Sequence, residues 1–181
     1  PDSSPATVTI NVGIVNDDPF VIDEIDDVAV FEDAPNTIID LSEHFTDVDI
    51  ATNSDQLAFT VLDNSNDLLV SVSISGNTLT LDYLLNQFGV GVEAAEITVR
   101  ATDLLSESIE DTFLVAVSPV NDAPTAANDT YTADEDIKLV VDAVGGVLAN
   151  DSDIEDDPLT AVLESGPSNG TLDLNADGSF T

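Results

Sequence analysis

Apolar and polar residues alternate along much of this chain, and the alternation has a period of two. A period of two places successive side chains on opposite faces of an extended backbone, so the alternating or β-branched segments are predicted β-strands. No segment carries the apolar stripe of an amphipathic helix. The predicted strands are residues 7–12, 57–62, 68–74, 78–83, 96–101, 112–117 and 159–163.

Short turn signals separate several of these strands. Residues 75–77 (Ser-Gly-Asn) and 176–178 (Ala-Asp-Gly) favour tight turns, so each is predicted to join two strands of a hairpin. Residues 41–45 and 83–88 are predicted to form short helical turns. Many short strands at regular spacing are typical of sandwiches, so the predicted fold class is all-β, with tandem Greek-key β-sandwich domains.

An internal repeat divides the chain into similar parts. Residues 14–19 (Ile-Val-Asn-Asp-Asp-Pro) recur as residues 119–124 (Pro-Val-Asn-Asp-Ala-Pro), each after a predicted strand. A Glu-Asp pair, an Asp-x-Asp triplet and a Leu-containing strand follow each copy in the same order, which indicates a tandem-repeat protein. The predicted segments are residues 1–19, the final strand and linker of a preceding or neighbour-completed sandwich, residues 20–124, a complete sandwich, and residues 125–181, the N-terminal part of a second sandwich.

The charge of the chain is strongly one-sided. Its 181 residues include 37 Asp and Glu against 2 Lys and Arg, a formal net charge of -35. Nucleic acids and anionic membrane surfaces repel such a chain, so neither is an expected partner. The apolar share of 43% argues against disorder, because disordered chains combine high charge with low hydrophobicity. Screening salt, bound cations or both must therefore offset the repulsion.

Several absences narrow the chemistry further. The chain has no Cys, so neither a disulfide nor a Cys-ligated zinc site can form. A bound metal is another way for a secreted protein without disulfides to gain rigidity. No stretch approaches the ~20 apolar residues of a membrane-spanning helix, so no membrane insertion is expected. His44 is the only His, and there is no Gly-x-Ser-x-Gly motif and no Trp to form a sugar platform. The chain is therefore predicted not to be an enzyme.

The arrangement of the carboxylates suits calcium. Calcium takes about six to eight oxygen ligands from carboxylates, side-chain amides and backbone carbonyls. An Asp-x-Asp triplet, as at residues 47–49 and 151–153, can direct two carboxylates at one ion, and an Asn-Asp pair in a linker adds an amide oxygen and a carboxylate. Pro19 and Pro124 follow the linker pairs and restrict the backbone there. The alternative is that most of these acids are simply solvated surface.

Several of these motifs resemble those of known repeat families. The motifs that resemble cadherin and bacterial cadherin-like repeats are Val120–Pro124, Ala101–Asp103, Glu32-Asp33 and Asp47–Asp49. Residues 147–153 and 175–181 resemble the bacterial Ig-like and VCBS-type repeats of large surface adhesins. The resemblance covers essentially the whole chain. It implies cadherin-like or Ig-like sandwiches with Ca²⁺ bound at the junctions between domains.

The resemblance also implies two sets of calcium ligands. The set at the first junction is Asn16, Asp17, Glu32, Asp47, Asp49 and Asp103. The set at the second junction is Asn121, Asp122, Glu135, Asp151, Asp153 and Asp156. The mid-domain acidic motif of cadherins is not recognisable and the linkers carry fewer acids than the full cadherin form. None to two ions per junction are therefore expected, rather than three. Spacing leaves open whether Asp103 serves the junction before or after its own domain.

Together these features predict a structural extracellular module at the cell surface, a calcium-rigidified unit of a stalk or filament in a bacterial surface adhesin. Its expected partners are copies of itself or adjacent repeats. The alternative is a binding module whose loops recognise a polysaccharide or a partner cadherin-like domain. Sugar binding favours exposed aromatic residues, and the aromatic share of this chain is 5%.

The frame of the repeats predicts a mode of assembly. The chain begins with a predicted final strand and ends within a predicted hairpin. An incomplete sandwich exposes an unpaired edge, which a strand from a neighbouring chain can complete. Residues 6–15 of one subunit are therefore expected to complete the sandwich of residues 125–181 in the next, which would give a head-to-tail filament. The alternative is that the chain is a fragment of a longer repeat array.

Overall fold

The computed structural model describes residues 7–9, 13 and 15–181. The chain divides into two units, one ending at Ser118 and the other beginning at Pro119, which are called unit 1 and unit 2 below. The boundaries expected from the sequence, after residues 19 and 124, remain predictions.

Unit 1 is built mainly from short strands. They are β1 (Phe20–Val21), β2 (Val28–Phe31), β3 (Thr37–Asp40), β4 (Phe45–Thr46), β5 (Ala58–Asn64), β6 (Val70–Ser75), β7 (Thr78–Tyr83), β8 (Ala95–Thr102) and β9 (Ser108–Ser118). The helical segments of unit 1 are the 3₁₀ turns Leu41–Glu43 and Gly91–Glu93 and the short helix α1 (Asp49–Asn53). In the part of the chain that the structure describes, no helix has the length and apolar character needed to cross a membrane.

The strands of unit 1 form two main sheets. The four-stranded sheet has the order β2-β9-β8-β5, with β2 parallel to β9 and the other pairs antiparallel. The three-stranded sheet has the order β3-β7-β6 and is antiparallel throughout. β1 and β4 form a separate antiparallel pair. Since β5 and β6 are consecutive but lie in different sheets, the chain crosses between the sheets at this point.

The two sheets enclose one hydrophobic core. Alternate residues of β8 point inward, so Ile97 and Val99 are fully buried, and Leu79 and Leu81 of β7 meet them from the other sheet. Burial of apolar surface stabilises a fold by about 25 cal/mol per Å², which makes these inward rows the main stabilising feature of unit 1. The strands, the packed sheets and this core confirm the predicted all-β sandwich fold.

Most strand and turn predictions within unit 1 are confirmed. The predicted strands at residues 57–62, 68–74, 78–83, 96–101 and 112–117 correspond to β5, β6, β7, β8 and β9. The predicted turn between β6 and β7 has Gly76 at φ 60°, with Ser75 paired to Thr78. The helical turn predicted at residues 41–45 is a 3₁₀ turn, capped by Asp40, which accepts a hydrogen bond from the Ser42 N–H.

Other local predictions are not confirmed. Residues 83–88 form a turn and no helix, because Gln87 donates to the Leu84 carbonyl and Asn86, at φ 56°, leaves the right-handed helical region. Residues 159–163 form no strand, and the Ala161 N–H donates a hydrogen bond to the Ala176 carbonyl of the later hairpin. Of the strand predicted at residues 7–12, residues 7–9 are not in a strand and residues 10–12 lie outside the described residues.

Unit 2 is held by isolated backbone bridges and one 3₁₀ turn, Ala143–Gly145, rather than by continuous strands. Phe180 pairs with both Val141 and Leu174. Of the described large apolar side chains of unit 2, only Phe180 is buried, and its ring meets that of Tyr131 edge to face at 4.8 Å. Unit 2 therefore lacks, among these residues, a core comparable with that of unit 1.

The hairpin turn predicted at residues 176–178 is confirmed. The Asn175 N–H donates to the Ser179 carbonyl at 2.9 Å, and Gly178 takes φ 82°. This left-handed conformation costs glycine little, because it has no Cβ. The turn brings Gly178 against Gly146, where a Cβ on Gly146 would lie 2.3 Å from the Gly178 carbonyl oxygen.

Candidate metal centre

Unit 1 gathers acidic side chains at one end of its sandwich. Asp47 follows β4, Asp55 follows α1 and Asp103 follows β8. These three side chains are nearly inaccessible, with exposed fractions of 4%, 6% and 6%. One carboxylate oxygen from each residue lies within 4.8 Å of the other two. Asp47, Asp55 and Asp103 are called the three-carboxylate cluster below.

Local hydrogen bonds fix the first two members of the cluster. Asp47 Oδ1 accepts from the Asp49 N–H at 2.7 Å, at the start of α1. Asp55 Oδ1 accepts from the Gln56 N–H at 2.7 Å and from the Leu104 N–H at 3.1 Å. Asp55 therefore ties the segment after α1 to the loop between β8 and β9. Each of these bonds uses Oδ1 and leaves Oδ2 directed elsewhere.

The loop between β8 and β9 holds the third member. Asp103 Oδ1 accepts from the backbone N–H groups of Leu105 at 2.9 Å and Glu107 at 2.8 Å. Asp103 Oδ2 accepts from the Asn16 side-chain amide at 2.7 Å. The pKa of Asp103 lies below its ordinary value, mainly because of the hydrogen bond from Asn16. Burial raises this pKa, whereas the backbone N–H donors of the loop lower it further. Asp103 is thus held in its charged form.

The segment before β1 is attached to this end of unit 1. Besides the bond from Asn16 to Asp103, the Asp17 N–H donates to Asp49 Oδ2 at 2.8 Å. Asp49 is itself buried, and its Oδ1 accepts from the Thr52 hydroxyl at 3.0 Å. Asp49 therefore anchors the linker, with both of its oxygens already engaged.

Two oxygens of the cluster have no partner among the described residues. Oδ2 of Asp47 and Oδ2 of Asp55 are buried, and no described residue donates a hydrogen bond to either. A buried carboxylate oxygen without a partner is costly, since it has lost water and gained nothing in exchange. Carboxylates this close also repel one another, and more strongly where water is partly excluded than in bulk solvent.

No basic side chain of unit 1 compensates for this charge. Unit 1 contains Arg100 and His44 as its only basic residues. The Arg100 guanidinium bonds Glu110 at 2.6 Å and 3.0 Å, and His44 Nδ1 contacts the Asp23 carbonyl at 2.9 Å. The cluster is therefore an anionic, partly desolvated arrangement of oxygen ligands.

The structure brings most of the first predicted set together. Asn16, Asp17, Asp47, Asp49 and Asp103 meet at this end of unit 1. Since Asp103 bonds the linker that precedes its own domain, the structure places it at the end of unit 1 nearest residues 16–17.

Glu32 does not join them, and this grouping is corrected. The Glu32 N–H bonds the carbonyl of Ser118, the last residue of β9, whereas Asp103 bonds Glu107, just before β9 begins. A strand advances about 3.3 Å per residue, so the two ends of β9 lie roughly 30 Å apart. Early position in the sequence does not place Glu32 near the linker, because β2 runs parallel to β9 and away from that end.

Asp55 was missed by the sequence analysis. It lies in Ser54-Asp55-Gln56, outside any Asp-x-Asp or Asn-Asp motif, so motif spacing gave no signal for it. Its position depends on α1, which was not predicted, and on Ser54, which ends α1 in the left-handed conformation at φ 67°. That turn of the chain directs Asp55 back towards Asp103.

The second predicted set is only partly assembled in unit 2. Asn121, Asp122, Asp151 and Asp153 line one cleft of about 360 Å³, together with Asp157. Asp153 Oδ1 accepts from the Glu155 and Asp157 N–H groups, both at 3.1 Å. Asp151 Oδ1 accepts from the Ala127 N–H at 2.8 Å. Asp151 and Asp153 are half-buried rather than buried.

Glu135 and Asp156 do not line this cleft, and their grouping with the second set is corrected as well. Both are exposed. Asp156 lies in a turn at φ 58°, and its N–H donates to the Asp153 carbonyl. Glu135 lies in a turn that is closed by a hydrogen bond from the Ile137 N–H to the Asp134 carbonyl. The direction of the backbone in these turns keeps Glu135 and Asp156 out of the cleft, although Asp156 is close in sequence to Asp153.

Comparison with known proteins bears on the same part of the chain. Residues 121–181 match the family model of the bacterial cadherin-like domain. This match confirms the predicted resemblance to cadherin-like repeats for unit 2. No curated protein matches the chain. Among solved structures, the chain is similar to the titin domains Z1Z2 crystallised in complex with telethonin, with 13% identity and a TM-score of 0.36 over 64% of this chain and 55% of that one. A likeness at that level carries no argument about function.

The donors in both units fit a hard cation. The three-carboxylate cluster offers only oxygens, as does the cleft of the cadherin-like unit 2. Oxygen-only sets suit calcium, magnesium or manganese, whereas zinc and copper sites usually include His or Cys. In unit 1 the unpartnered oxygens of Asp47 and Asp55 are the groups that such an ion would satisfy.

Proposed function

We propose that this chain is a structural repeat module of an extracellular bacterial surface adhesin, and that the three-carboxylate cluster of unit 1 binds Ca²⁺. The observation that carries the proposal is the pair of buried, unpartnered oxygens of Asp47 and Asp55 beside Asp103. A divalent cation would offset the mutual repulsion of these groups and replace the water that they have lost. The role is structural, because the site offers charge and oxygen ligands but no nucleophile or base in a triad arrangement.

Calcium at this cluster would stiffen the linker before the sandwich. Asn16 and Asp17 are already bonded to Asp103 and Asp49, so the linker lies within reach of the ion. Without the ion, the carboxylates repel and the loops that carry them loosen. With the ion, linker and sandwich share one site. Extracellular calcium modules bind at about 10⁻⁴–10⁻³ M, which suits a rigid stalk in a calcium-rich medium.

The experiment is a calcium titration of the chain by calorimetry, together with melting curves in EDTA and in calcium. Calcium is expected to raise the melting temperature of unit 1, and Asp47→Asn is expected to weaken the binding by about tenfold or more, since affinity depends on the ligand charge. Asp63→Asn is the matched control, because Asp63 is exposed on β5 and outside the cluster. Equal loss of affinity in the two variants, or no calcium effect on melting, would contradict the proposal.

The cleft of unit 2 is proposed as a second calcium site of the same kind. Asn121, Asp122, Asp151 and Asp153 repeat the sequence motifs of the first set, and the cleft brings them together. It lies after the second linker as the first cluster lies after the first linker. A chain of such modules would be rigidified at each junction.

The proposal extends to assembly as a stalk or filament. Unit 2 exposes apolar side chains, including Val140, Val144 and Val162, which a strand from a neighbouring copy would cover. The expected donor is residues 6–15, half of which lie outside the described residues. Deletion of residues 6–15 should abolish head-to-tail polymers seen by electron microscopy. Polymers that persist after the deletion would remove strand donation from the proposal and leave calcium binding untouched.

A further inference from the structure

Most sheet edges of unit 1 carry features that discourage pairing with another chain. β2 and β3 are edge strands of only four residues; Asp27 and Glu32 flank β2, and Asp40 ends β3. β5 is the other edge of the four-stranded sheet. It has a bulge, where the register shifts between Val61 and Asp63, and Asp63 adds a charge. Short length, charge and bulges are the usual means by which proteins protect exposed edges.

β6 has none of these features. Among the described strands of the two main sheets it is the remaining edge, at the side of the three-stranded sheet opposite β3. Its six residues, Val-Ser-Val-Ser-Ile-Ser, contain no charge and no Pro, and it pairs with β7 without a register shift. Its outward side chains are Ser71, Ser73 and Ser75, all exposed. An uncharged, regular edge strand of this kind is a template for another strand.

The hairpin geometry identifies which backbone groups of β6 point away from β7. In a two-residue hairpin the residues that flank the turn form a hydrogen-bonded pair, here Ser75 with Thr78. Hydrogen-bonded pairs alternate along the ladder, so Ser73 also bonds β7. Val72 and Ile74 therefore direct their N–H and C=O groups outward.

Val70, two residues before Val72, also directs its backbone N–H and C=O groups away from β7, and both groups have partners there. Its N–H donates to the Asn66 carbonyl at 3.4 Å, and its C=O accepts from the Asn64 side chain at 2.8 Å. No described residue bonds the equivalent groups of Val72 and Ile74. The open part of the edge is thus the tripeptide Val72-Ser73-Ile74, between the loop at one end and the hairpin turn at the other.

This tripeptide fits a second copy of itself. A two-fold axis through Ser73 places Val72 opposite Ile74 of the second copy and Ile74 opposite its Val72. All four open groups of each copy then find partners. The chain carries a net charge of -35, so most surfaces of two copies repel, but this axis brings serine against serine. On the same face Asp82 lies beside Ser71, at the end of the strand and one residue pair away from the axis.

We propose that β6 pairs antiparallel with β6 of a second copy, which joins two three-stranded sheets into one continuous six-stranded sheet with the order β3-β7-β6-β6-β7-β3. The pairing is lateral and closes on itself as a dimer, whereas strand donation is head-to-tail and open. It uses no residue of the three-carboxylate cluster. A stalk that pairs sideways in this way would bundle, and several weak contacts along an array of repeats would reinforce one another.

The chain contains no Cys, so single Cys variants test the register directly. Ser73 would face itself as a non-hydrogen-bonded pair, with Cα atoms about 4.5 Å apart, within the range that a disulfide spans. Ser73→Cys should therefore form a covalent dimer under mild oxidation about tenfold faster than Ser71→Cys, whose partner would be Ser75 of the other copy. Equal rates for the two variants, or no dimer from Ser73→Cys, would overturn the proposal.

A charge placed on the axis gives an independent measurement. Ser73→Lys sets Lys against Lys across the two-fold axis, and sedimentation equilibrium at about 0.15 M salt should show up to about a fivefold loss of dimer. Ser168→Lys makes the same change in net charge on an exposed loop of unit 2 and should leave the dimer intact or strengthen it. Loss in both variants, or in neither, would contradict pairing through β6. Circular dichroism of each variant checks that the fold is retained, and EDTA should leave the contact through β6 in place.

Discussion

The acidic ends of the two units carry the same motifs in different settings. Each has an Asn-Asp pair in a linker and an Asp-x-Asp triplet beyond it. In unit 1, Asp47 and Asp49 are both 4% exposed, and the cluster includes buried oxygens without partners. In unit 2, Asp151 and Asp153 are half-buried in an open cleft. The same Asp-x-Asp pattern therefore gives buried carboxylates in one unit and half-buried carboxylates in an open cleft in the other.

The difference follows from the frameworks that carry the motifs. The acids of unit 1 lie on loops that leave β4 and β8, and these strands are fixed by the packed core. The described part of unit 2 has isolated bridges and one buried aromatic ring. Only a rigid framework can keep like charges close together and away from water, because a flexible one relaxes until the charges are solvated.

The largest expected contrast concerns packing. Leu81→Ala removes a fully buried side chain from the core of unit 1 and should lower the free energy of unfolding by about 2–5 kcal/mol. Leu163→Ala removes a side chain that is 44% exposed in unit 2 and should cost about 1 kcal/mol or less. Amide hydrogen exchange, followed separately in β8 and around Phe180, measures the two losses. Similar losses would mean that unit 2 has packing comparable with that of unit 1.

The next contrast tests what holds unit 2 together. Gly146→Ala would place a Cβ 2.3 Å from the Gly178 carbonyl oxygen, a backbone atom that cannot move aside freely. The strain should destabilise unit 2 by about 1–3 kcal/mol. Gly145→Ala is the matched control, since its Cβ would meet no atom closer than 3.8 Å. Thermal melting of both variants provides the comparison, and equal melting temperatures would contradict the role of this close backbone approach.

A smaller contrast concerns the two acidic sites. Asp55→Asn keeps the shape of the side chain but removes one charge from the cluster, so calcium affinity at unit 1 should fall about tenfold, or about 1.4 kcal/mol. In EDTA the same variant should melt higher than the parent protein, because repulsion within the cluster is reduced. Asp157→Asn in the open cleft of unit 2 should lower calcium affinity less, and should raise the melting temperature in EDTA less, than Asp55→Asn does in unit 1. Calorimetry and melting curves measure both, and a lower melting temperature for Asp55→Asn in EDTA would contradict repulsion in the metal-free cluster.

The fold was largely predictable because its signal is local. The alternation of apolar and polar residues in β5 to β9 reflects one buried and one exposed face, which the sequence records directly. The hairpin at Gly76 was predictable for the same reason, since the turn residues carry their own conformational preference. Residues 159–163 have a similar composition but form no strand, because a strand also needs a neighbour to pair with.

The candidate site was less predictable because it depends on topology. Asp47, Asp49 and Asp103 were expected from motifs, and the structure brings them together. Asp55 carries no motif, and it joins the cluster only because α1 ends with Ser54 in the left-handed region. Glu32 has a motif, but the parallel pairing of β2 with β9 takes it to the other end of the sheet. A motif thus specifies the kind of ligand, while strand direction decides which ligands meet.

The smallest effect concerns the linker contact itself. Asn16→Ala removes the donor that lowers the pKa of Asp103 most, so in calcium-free buffer this pKa should rise towards its ordinary value. A folded-state pKa below the unfolded one contributes stability above the unfolded value and loses it as the pH falls through the folded value. The variant and the parent protein should therefore differ in stability at neutral pH and converge in acid.

Asn121→Ala is the control, because the Asn121 amide bonds the Asp122 carbonyl in unit 2. Titration of the Asp103 carboxyl carbon by NMR reads the shift, and an unchanged pKa in Asn16→Ala would mean that the linker does not rest against the cluster in solution.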